Sequence, residues 1–318
     1  MKIGFKLMAE AYGPLELVRQ AQRAEAAGFD FVEISDHYHP WIYSQGHSPF
    51  AWSVLASIAA RTERIELATG VTCPTMRYHP AIIAQAAATT QILADGRFVL
   101  GVGSGERLNE HVTGAGWPSV DVRQAMLEEA LEVISLLWGG GYQSYDGRYY
   151  TVSDARLFDL PDEPPPIVVA SGGSRASALA ARAGDGLFAT DPDSELIAAY
   201  HDAGGAGPLY CEVPIAYADS EAQGAESAHG VARFGALGWK VMSELPNPIN
   251  FEAATEHVTV ETMRESFACG PDIDRHREVF GQFRDAGFDH LALMSAGPDI
   301  DAFLDFYEAE LGDALRAP

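Results

Sequence analysis

One pattern recurs along the chain: an alanine-rich helix, then a glycine, then a short apolar strand. It reads AEAAGFDFVEISD at residues 24–36, AARAGDGLFAT at 180–190 and FRDAGFDHLALM at 283–294. The glycines Gly28, Gly184 and Gly287 stand where a helix C-cap favours a left-handed conformation, which glycine adopts without steric cost. A chain that repeats helix, glycine and strand is expected to form a parallel sheet with helices packed outside it.

Short apolar runs bounded by loops predict eight strands. They lie at residues 3–7, 31–35, 65–70, 98–103, 166–171, 186–190, 209–217 and 290–295. Amphipathic or alanine-rich segments predict helices at 15–27, 53–62, 81–93 and 122–138. This count favours an α/β fold of the (β/α)8 TIM barrel type, with a doubly wound sheet as the alternative. A doubly wound sheet usually has a glycine-rich turn after its first strand, and residues 8–14 (MAEAYGP) do not supply one.

Two segments are longer than a simple barrel connection. Residues 139–165 carry turn signals and aromatic residues, which predict a hairpin and loop after the fourth helix. Residues 219–270 follow strand seven, are polar and weakly periodic, and predict a helical excursion beside the barrel mouth. We expect a single domain over residues 1–318, because neither insertion is long enough for a core of its own. Small residues on several faces of the helix at 81–93 also predict a homodimer.

Charge and cysteine content narrow the function classes. The chain has 21 Lys and Arg against 45 Asp and Glu, a net charge of −24, which argues against nucleic acid and anionic membranes as partners. No apolar run approaches the roughly 18 residues that span a bilayer. Cys73, Cys211 and Cys269 lie too far apart for a disulfide framework or a zinc knuckle. The sequence therefore predicts a soluble, cytoplasmic protein that acts on a small molecule.

In such a barrel, the segments that follow the strands carry the chemistry. After strand two the chain reads SDHYHPW, with Asp36 beside His37 and Trp41 four residues further on. A neutral imidazole can accept the proton of a substrate hydroxyl, and a neighbouring carboxylate can orient the ring. The alternative is that Asp36 caps a loop and His37 is a buried structural histidine. Composition alone does not decide between them.

Strands four and five are followed by turns of small residues. Residues 101–110 (GVGSGERLNE) place three glycines and Glu106 at the barrel mouth. Residues 171–173 (SGG) precede a helix whose free N–H groups suit an anion, although an ordinary serine cap is the alternative. The histidines of the chain show no metal-ligand spacing, so no metal is expected. Asp36 and Glu106 leave a glycosidase carboxylate pair open as another class of enzyme.

Five motifs occur in a characteristic order. They are SDHYHPW (35–41), GVTCPTMRYHPAIIAQ (70–85), GVGSGERLNEH (101–111), LWGGGYQSYDGRYY (137–150) and VVASGGS (168–174). In this order they resemble the luciferase-like superfamily of (β/α)8 flavin and deazaflavin enzymes, in the branch of coenzyme F420-dependent dehydrogenases that includes those acting on glucose 6-phosphate. The resemblance implies hydride transfer between an alcohol or sugar and C5 of the deazaflavin F420. An FMN-dependent luciferase-like monooxygenase and a catalytically silent binding barrel are the alternatives.

The resemblance also implies roles for individual residues. His37 would accept the alcohol proton, Trp41 would shield the reacting centre, and Glu106 would give a proton to N1 of the reduced ring. Asp36 would hold both the cofactor and His37. Further cofactor contacts are expected from Gly70 and Val71, which the family joins by a cis peptide bond, and from Thr72, Gly105, Asn109, Ser171, Gly172 and Gly173.

The expected substrate pocket departs from that of the sugar-phosphate enzymes. Those members hold the phosphate with two lysines and an arginine. Residues 190–193 (TDPD) put acids where one lysine is expected, and Met242 stands in place of the other. Only Arg264 matches the arginine. We therefore expect Trp41, Met242 and Arg264 to contact a substrate that is a neutral alcohol or sugar rather than a phosphate dianion.

Overall fold

Eight strands of the structure follow the eight predicted apolar runs, each end within one residue. A computed structural model describes residues 1–317 of the chain. The strands are β1 (Lys2–Leu7), β2 (Phe31–Ile34), β3 (Glu66–Thr69), β4 (Phe98–Val102), β5 (Gln143–Asp146), β6 (Thr151–Ala155), β7 (Ile167–Ala170), β8 (Gly186–Ala189), β9 (Leu209–Ala216), β10 (Ala268–Cys269) and β11 (His290–Ser295).

The helices alternate with these strands and include the four predicted from the sequence. They are α1 (Pro14–Ala26), α2 (Ala51–Ala59), α3 (Pro80–Leu93), α4 (Arg107–Glu110), α5 (Val120–Trp138), α6 (Ser174–Ala183), α7 (Ser194–Asp202), α8 (Glu221–Ala232), α9 (Trp239–Met242), α10 (Pro248–Ala254), α11 (Val260–Ser266), α12 (Ile273–Ala286), α13 (Ile300–Phe306) and α14 (Gly312–Arg316). No helix among residues 1–317 is both long and apolar enough to cross a membrane.

Eight parallel strands close into a barrel. Their order is β9-β11-β1-β2-β3-β4-β7-β8, and β8 pairs again with β9, which joins the two ends of the sheet. The predicted (β/α)8 barrel is therefore confirmed, because a doubly wound sheet has two open edges. The main apolar core fills the space between strands and helices, whereas a smaller cluster of Phe31, Val168, Phe188, Tyr210 and Ala292 contributes to the barrel interior.

Both insertions adopt the predicted type of structure. β5 and β6 form an antiparallel hairpin after α5, the fourth long helix. The segment 219–270 contains α8 to α11 and rejoins the barrel at β10, which pairs with β9. Its apolar side chains form a second cluster that also includes Trp41 and Leu108 from the barrel loops. The excursion therefore packs on the loops that follow β2 and β4.

Two of the three predicted glycine caps have the expected conformation. Gly28 and Gly287 have φ angles of +85° and +113°, which favour glycine. The prediction for Gly184 is wrong, because its φ is −125°. A Cβ atom there would lie 2.8 Å from Val169 Cγ2. Glycine at this position therefore allows the end of α6 to pack closely on β7.

Candidate active site

Three side chains from three different strand ends meet at His37. His37 lies in the loop after β2, Glu10 follows β1, and Glu106 follows β4 at the start of α4. His37 Nε2 is 3.4 Å from Glu10 Oε1 and 3.7 Å from Glu106 Oε1. Because the carboxyl ends of parallel strands share one rim, residues distant in sequence come together here.

The orientation of His37 is set by the main chain. Its Nδ1 lies 3.1 Å from the carbonyl oxygen of His39, and a carbonyl only accepts, so Nδ1 carries the hydrogen. Nε2 is then the atom that can accept a proton, and it faces the two carboxylates.

Glu10 remains ionised in this setting. Its burial opposes ionisation, but His37, Lys6 and a hydrogen bond of 2.5 Å donated by Ser35 Oγ outweigh that cost. The pKa of Glu10 consequently lies below its ordinary value. Sequence reasoning did not assign Glu10 a role, although an acid three residues beyond the first strand, at the same rim as His37, was the signal that could have found it.

The expectation that Asp36 holds His37 is wrong. The buried Asp36 carboxylate accepts hydrogen bonds from Thr72 Oγ1 (2.8 Å), Tyr78 OH (3.0 Å) and Arg77 Nη2 (3.1 Å). Successive residues of an extended segment point in opposite directions, so Asp36 and His37 diverge. With its oxygens engaged by these three side chains, Asp36 is also a poor partner for Glu106 in a glycosidase pair.

Asn109 joins the His37 loop to Glu106. Its Oδ1 accepts from the main-chain N–H groups of Tyr38 (2.7 Å) and His39 (3.0 Å), and its Nδ2 donates to Glu106 Oε1. The side chain has no exposed surface. Asn109 therefore fixes the distance between the candidate base and the candidate acid.

An aromatic group covers His37 from the side of the excursion. The Trp41 ring centroid is 4.7 Å from that of His37, and the indole stacks on Phe234 at 5.0 Å and 12°. Phe251 meets the other part of the indole edge-on at 5.2 Å. Met242 belongs to the same apolar cluster. The predicted contacts Trp41 and Met242 thus lie in one apolar cover above His37.

Arg264 is placed differently. Its Nη1 forms an ion pair of 3.0 Å with Glu261 Oε2, one turn earlier on α11. Among residues 1–317 it makes no hydrogen bond or ion pair with His37, Glu10 or Glu106. Its expected contact with substrate therefore remains a prediction.

The segment after β3 packs tightly on the glycines after β4. The Gly70–Val71 peptide bond is cis, as the resemblance implies. Thr72 donates its N–H to Gly101 O at 2.9 Å, and Gly103 returns a bond of 3.0 Å to Thr72 O. A Cβ atom on Gly103 would lie 2.9 Å from Val71 Cγ2. Glycine is required there because the two turns touch.

Two further glycine-containing turns border this region. Gly105 has a φ of +81°, and a Cβ atom on it would lie 2.6 Å from Cys73 Sγ. Ser171 Oγ is 2.8 Å from Ser177 Oγ and donates to Gly173 O at 3.1 Å. The residue before α6 is Gly173, and no side chain caps this helix. The first-turn N–H groups of α6 are therefore open to an anion.

The chain is similar in sequence to proteins of known function. The profile of the luciferase-like monooxygenase family matches residues 1–290. The F420-dependent glucose-6-phosphate dehydrogenase of Nocardia farcinica (strain IFM 10152) is 37% identical over 332 aligned positions, which cover 100% of this chain and 98% of that protein. The corresponding enzyme of Mycobacterium tuberculosis (strain ATCC 25618 / H37Rv) is 35% identical and covers 99% and 98%.

A solved structure extends this likeness to three dimensions. An F420-dependent secondary alcohol dehydrogenase in complex with an F420-acetone adduct superposes with a TM-score of 0.92 at 30% identity, covering 99% of both chains. Identity above 30% to the curated dehydrogenases over the whole length, together with the family match, defines the relationship. The chain therefore belongs to the luciferase-like family, in the branch of the F420-dependent dehydrogenases.

Proposed function

We propose that this protein is a coenzyme F420-dependent oxidoreductase that transfers a hydride between an alcohol or sugar and C5 of the deazaflavin. The observation that carries the proposal is His37, with Nδ1 fixed on a carbonyl and Nε2 facing Glu10 and Glu106 beneath Trp41. The Nocardia relative is an F420-dependent dehydrogenase. The superposed alcohol dehydrogenase holds an F420-acetone adduct, the pairing expected for a secondary alcohol and its ketone.

The residues present fit such a cofactor. The uncapped N-terminus of α6, reached through Gly172 and Gly173, suits a phosphate group. After β3, residues 70–72 are held against the glycines after β4 by main-chain hydrogen bonds and close contact, and Gly70, Val71 and Thr72 would face the planar ring. A deazaflavin bound there supplies an obligate two-electron hydride acceptor.

The chain itself supplies the proton chemistry. His37 accepts the hydroxyl proton of the alcohol at Nε2, and Glu10 stabilises the resulting imidazolium. Glu106 would supply the proton for N1 of the ring, and Asn109 keeps Glu106 in place through the hydrogen bond that its Nδ2 donates. Trp41 covers His37 and excludes water from the reacting centre.

The substrate is a neutral secondary alcohol or sugar. A phosphate dianion needs charge-assisted partners, each contributing about 1.5–3 kcal/mol. The segment after β8 instead offers Asp191, whose pKa is raised by burial and by the Asp193 carboxylate. Arg264 is already paired with Glu261. The apolar cover of Trp41 and Met242 suits an uncharged substrate face.

Cofactor titration and a substrate panel test the proposal. Purified protein is titrated with oxidised F420 and with FMN, and bleaching of the deazaflavin band is then followed with 2-propanol, glucose and glucose 6-phosphate. We expect F420 to bind and a neutral substrate to bleach it faster than glucose 6-phosphate. Binding of FMN alone, with oxygen consumption, would overturn the cofactor assignment. Efficient oxidation of glucose 6-phosphate alone would overturn the substrate class.

The protein also forms a homodimer through a face that includes α3. Three apolar side chains of this helix, Ile82, Ile92 and Leu93, are exposed, with Ile82 at 57%. Contacts between copies would remove this apolar surface from water. Light scattering should give twice the 34.2 kDa chain mass, and the monomer mass would contradict the proposal.

The cytoplasm is the proposed location. Cys73, Cys211 and Cys269 are free thiols and are buried, as is usual for proteins of a reducing compartment. Fractionation of the source cells tests this, and recovery outside the cytoplasm would contradict it.

A further inference from the structure

Beneath the candidate cofactor surface, a buried lysine joins three elements of the barrel. Lys6 Nζ donates to the Gly70 carbonyl at 2.7 Å and to Glu212 Oε1 at 2.5 Å, and it lies 3.6 Å from Glu33 Oε1. Lys6 and Glu33 have 6% and 1% of their side-chain surface exposed. These residues come from β1, β2 and β9, so their side chains meet inside the barrel.

Burying a lysine in this position costs free energy unless its charge is paired and its N–H groups donate hydrogen bonds. Burial alone opposes the charged form, but the neighbouring acidic side chains, Glu212 first among them, outweigh it, and the pKa of Lys6 lies above its ordinary value. The pKa of Glu33 is raised as well, to about 8, because burial disfavours its charged form. Lys6 is therefore charged and hydrogen-bonded to Glu212, and burial favours the neutral form of Glu33 beside this pair.

Within this cluster, Lys6 Nζ is the atom that contacts the candidate cofactor site, because it donates to the Gly70 carbonyl. Gly70 begins the segment that contacts Gly101 and Gly103. Among residues 1–317, Lys6 is the side chain that donates to the Gly70 carbonyl. A Cβ atom on Gly70 would lie 3.0 Å from Lys6 Nζ and 3.1 Å from Glu33 Cδ, so the main chain rests directly on the lysine.

We infer that Lys6 is a positioning residue for the cofactor, holding the Gly70 carbonyl so that residues 70–72 keep the surface on which the ring lies. The inference rests on the proposed function, because that surface is the proposed cofactor site. Lys6 also acts on Glu10, whose ionised form its charge favours. One buried ammonium group thus supports both the cofactor surface and the carboxylate beside His37.

Cofactor affinity and the signal of the bound cofactor test the inference. The main variant is Lys6→Met/Glu212→Gln, which removes the cation and its counter-charge together, since neutral replacement of a buried pair is often tolerated. Lys2→Met is the matched control: Lys2 lies on the same strand and also pairs with a glutamate, Glu66, but at the surface. Wild type and variants are titrated with oxidised F420 and with FMN, followed by cofactor fluorescence.

We expect the double variant to bind F420 about 10- to 100-fold more weakly, the effect of one charge-assisted hydrogen bond. At saturation, the fluorescence of the bound ring should move toward that of the free cofactor, which a change in stability alone would not produce. Lys2→Met should match the wild type in both. If the double variant does not fold, Lys6→Gln is tested in its place. The glutamine side chain is one bond shorter than that of lysine and so does not reach the Gly70 carbonyl.

The other possible results test the role of Lys6 and the proposed function separately. Wild-type affinity and fluorescence in the variant that folds would overturn the role of Lys6. Wild-type binding of FMN but not F420 would overturn the proposed function, and FMN would then be the probe for Lys6. Failure of the wild type to bind either cofactor would overturn both.

Discussion

Replacing Asn109 by alanine should separate the candidate base from the candidate acid. The change removes the acceptor of the Tyr38 and His39 N–H groups, which donate at 2.7 and 3.0 Å, and the donor to Glu106. Each lost hydrogen bond to the main chain costs about 1 kcal/mol, and truncating a fully buried side chain adds about 1 kcal/mol of lost packing. We therefore expect the free energy of unfolding to fall by about 3 kcal/mol, from a typical total of about 5–15 kcal/mol.

Urea unfolding followed by tryptophan fluorescence measures this loss, with an unchanged m-value as the sign that the unfolded state is unaffected. Asn250→Ala is the control, because Asn250 lies in α10 and its side chain makes no hydrogen bond among residues 1–317. A loss below 1 kcal/mol for Asn109→Ala, or an equal loss for Asn250→Ala, would refute the reasoning. Turnover of the folded Asn109 variant should also fall, since both His37 and Glu106 lose a support.

Three further changes have defined expectations. His37→Ala should retain cofactor affinity and lower turnover about 10²-fold or more, the scale of a lost general base; near-wild-type turnover would remove His37 from that role. Glu106→Gln should change the pH–rate profile while substrate binding is kept, so an unaltered profile assigns the proton to another group. Glu33→Gln should become more stabilising as pH rises from about 5 to 8. Folded Glu33 stays protonated up to its pKa of about 8, whereas unfolded Glu33 does not. The contribution of Glu33 to the free energy of unfolding therefore falls with rising pH by up to about 1.4 kcal/mol per pH unit. A difference in Tm that is constant with pH would contradict this.

The barrel could be predicted because its strands are buried on both faces. A strand of a closed parallel sheet is apolar along most of its length, so runs such as FVLGV of β4 are visible without any other information. The helices between the strands could be predicted from the helical spacing of their apolar residues. Gly184 shows the limit of this reasoning: a glycine before a strand indicates a turn, but whether its backbone or its missing Cβ matters depends on what packs against it.

The site was predicted only in part, because its decisive contacts join different strands. His37 and Glu106 were found as unusual residues beyond strand ends, and the structure places them 3.7 Å apart. Glu10 and Lys6 were missed, since neither has a local motif and each depends on a partner far away in sequence. Asp36 was given the contact that Glu10 makes, because neighbours in sequence are easily mistaken for neighbours in space.

The hydrogen bond from His37 Nδ1 to the His39 carbonyl bears on reversibility. If a carboxylate accepted the hydrogen bond from Nδ1, the strength of that bond would change with the charges around it. A carbonyl oxygen accepts the hydrogen at every stage of the reaction. The imidazole can gain and lose its proton at Nε2 without turning. The imidazole ring therefore has the same position whether an alcohol is oxidised or a ketone is reduced. In the function proposed here, His37 then needs no change of orientation between oxidation of the alcohol and reduction of the ketone.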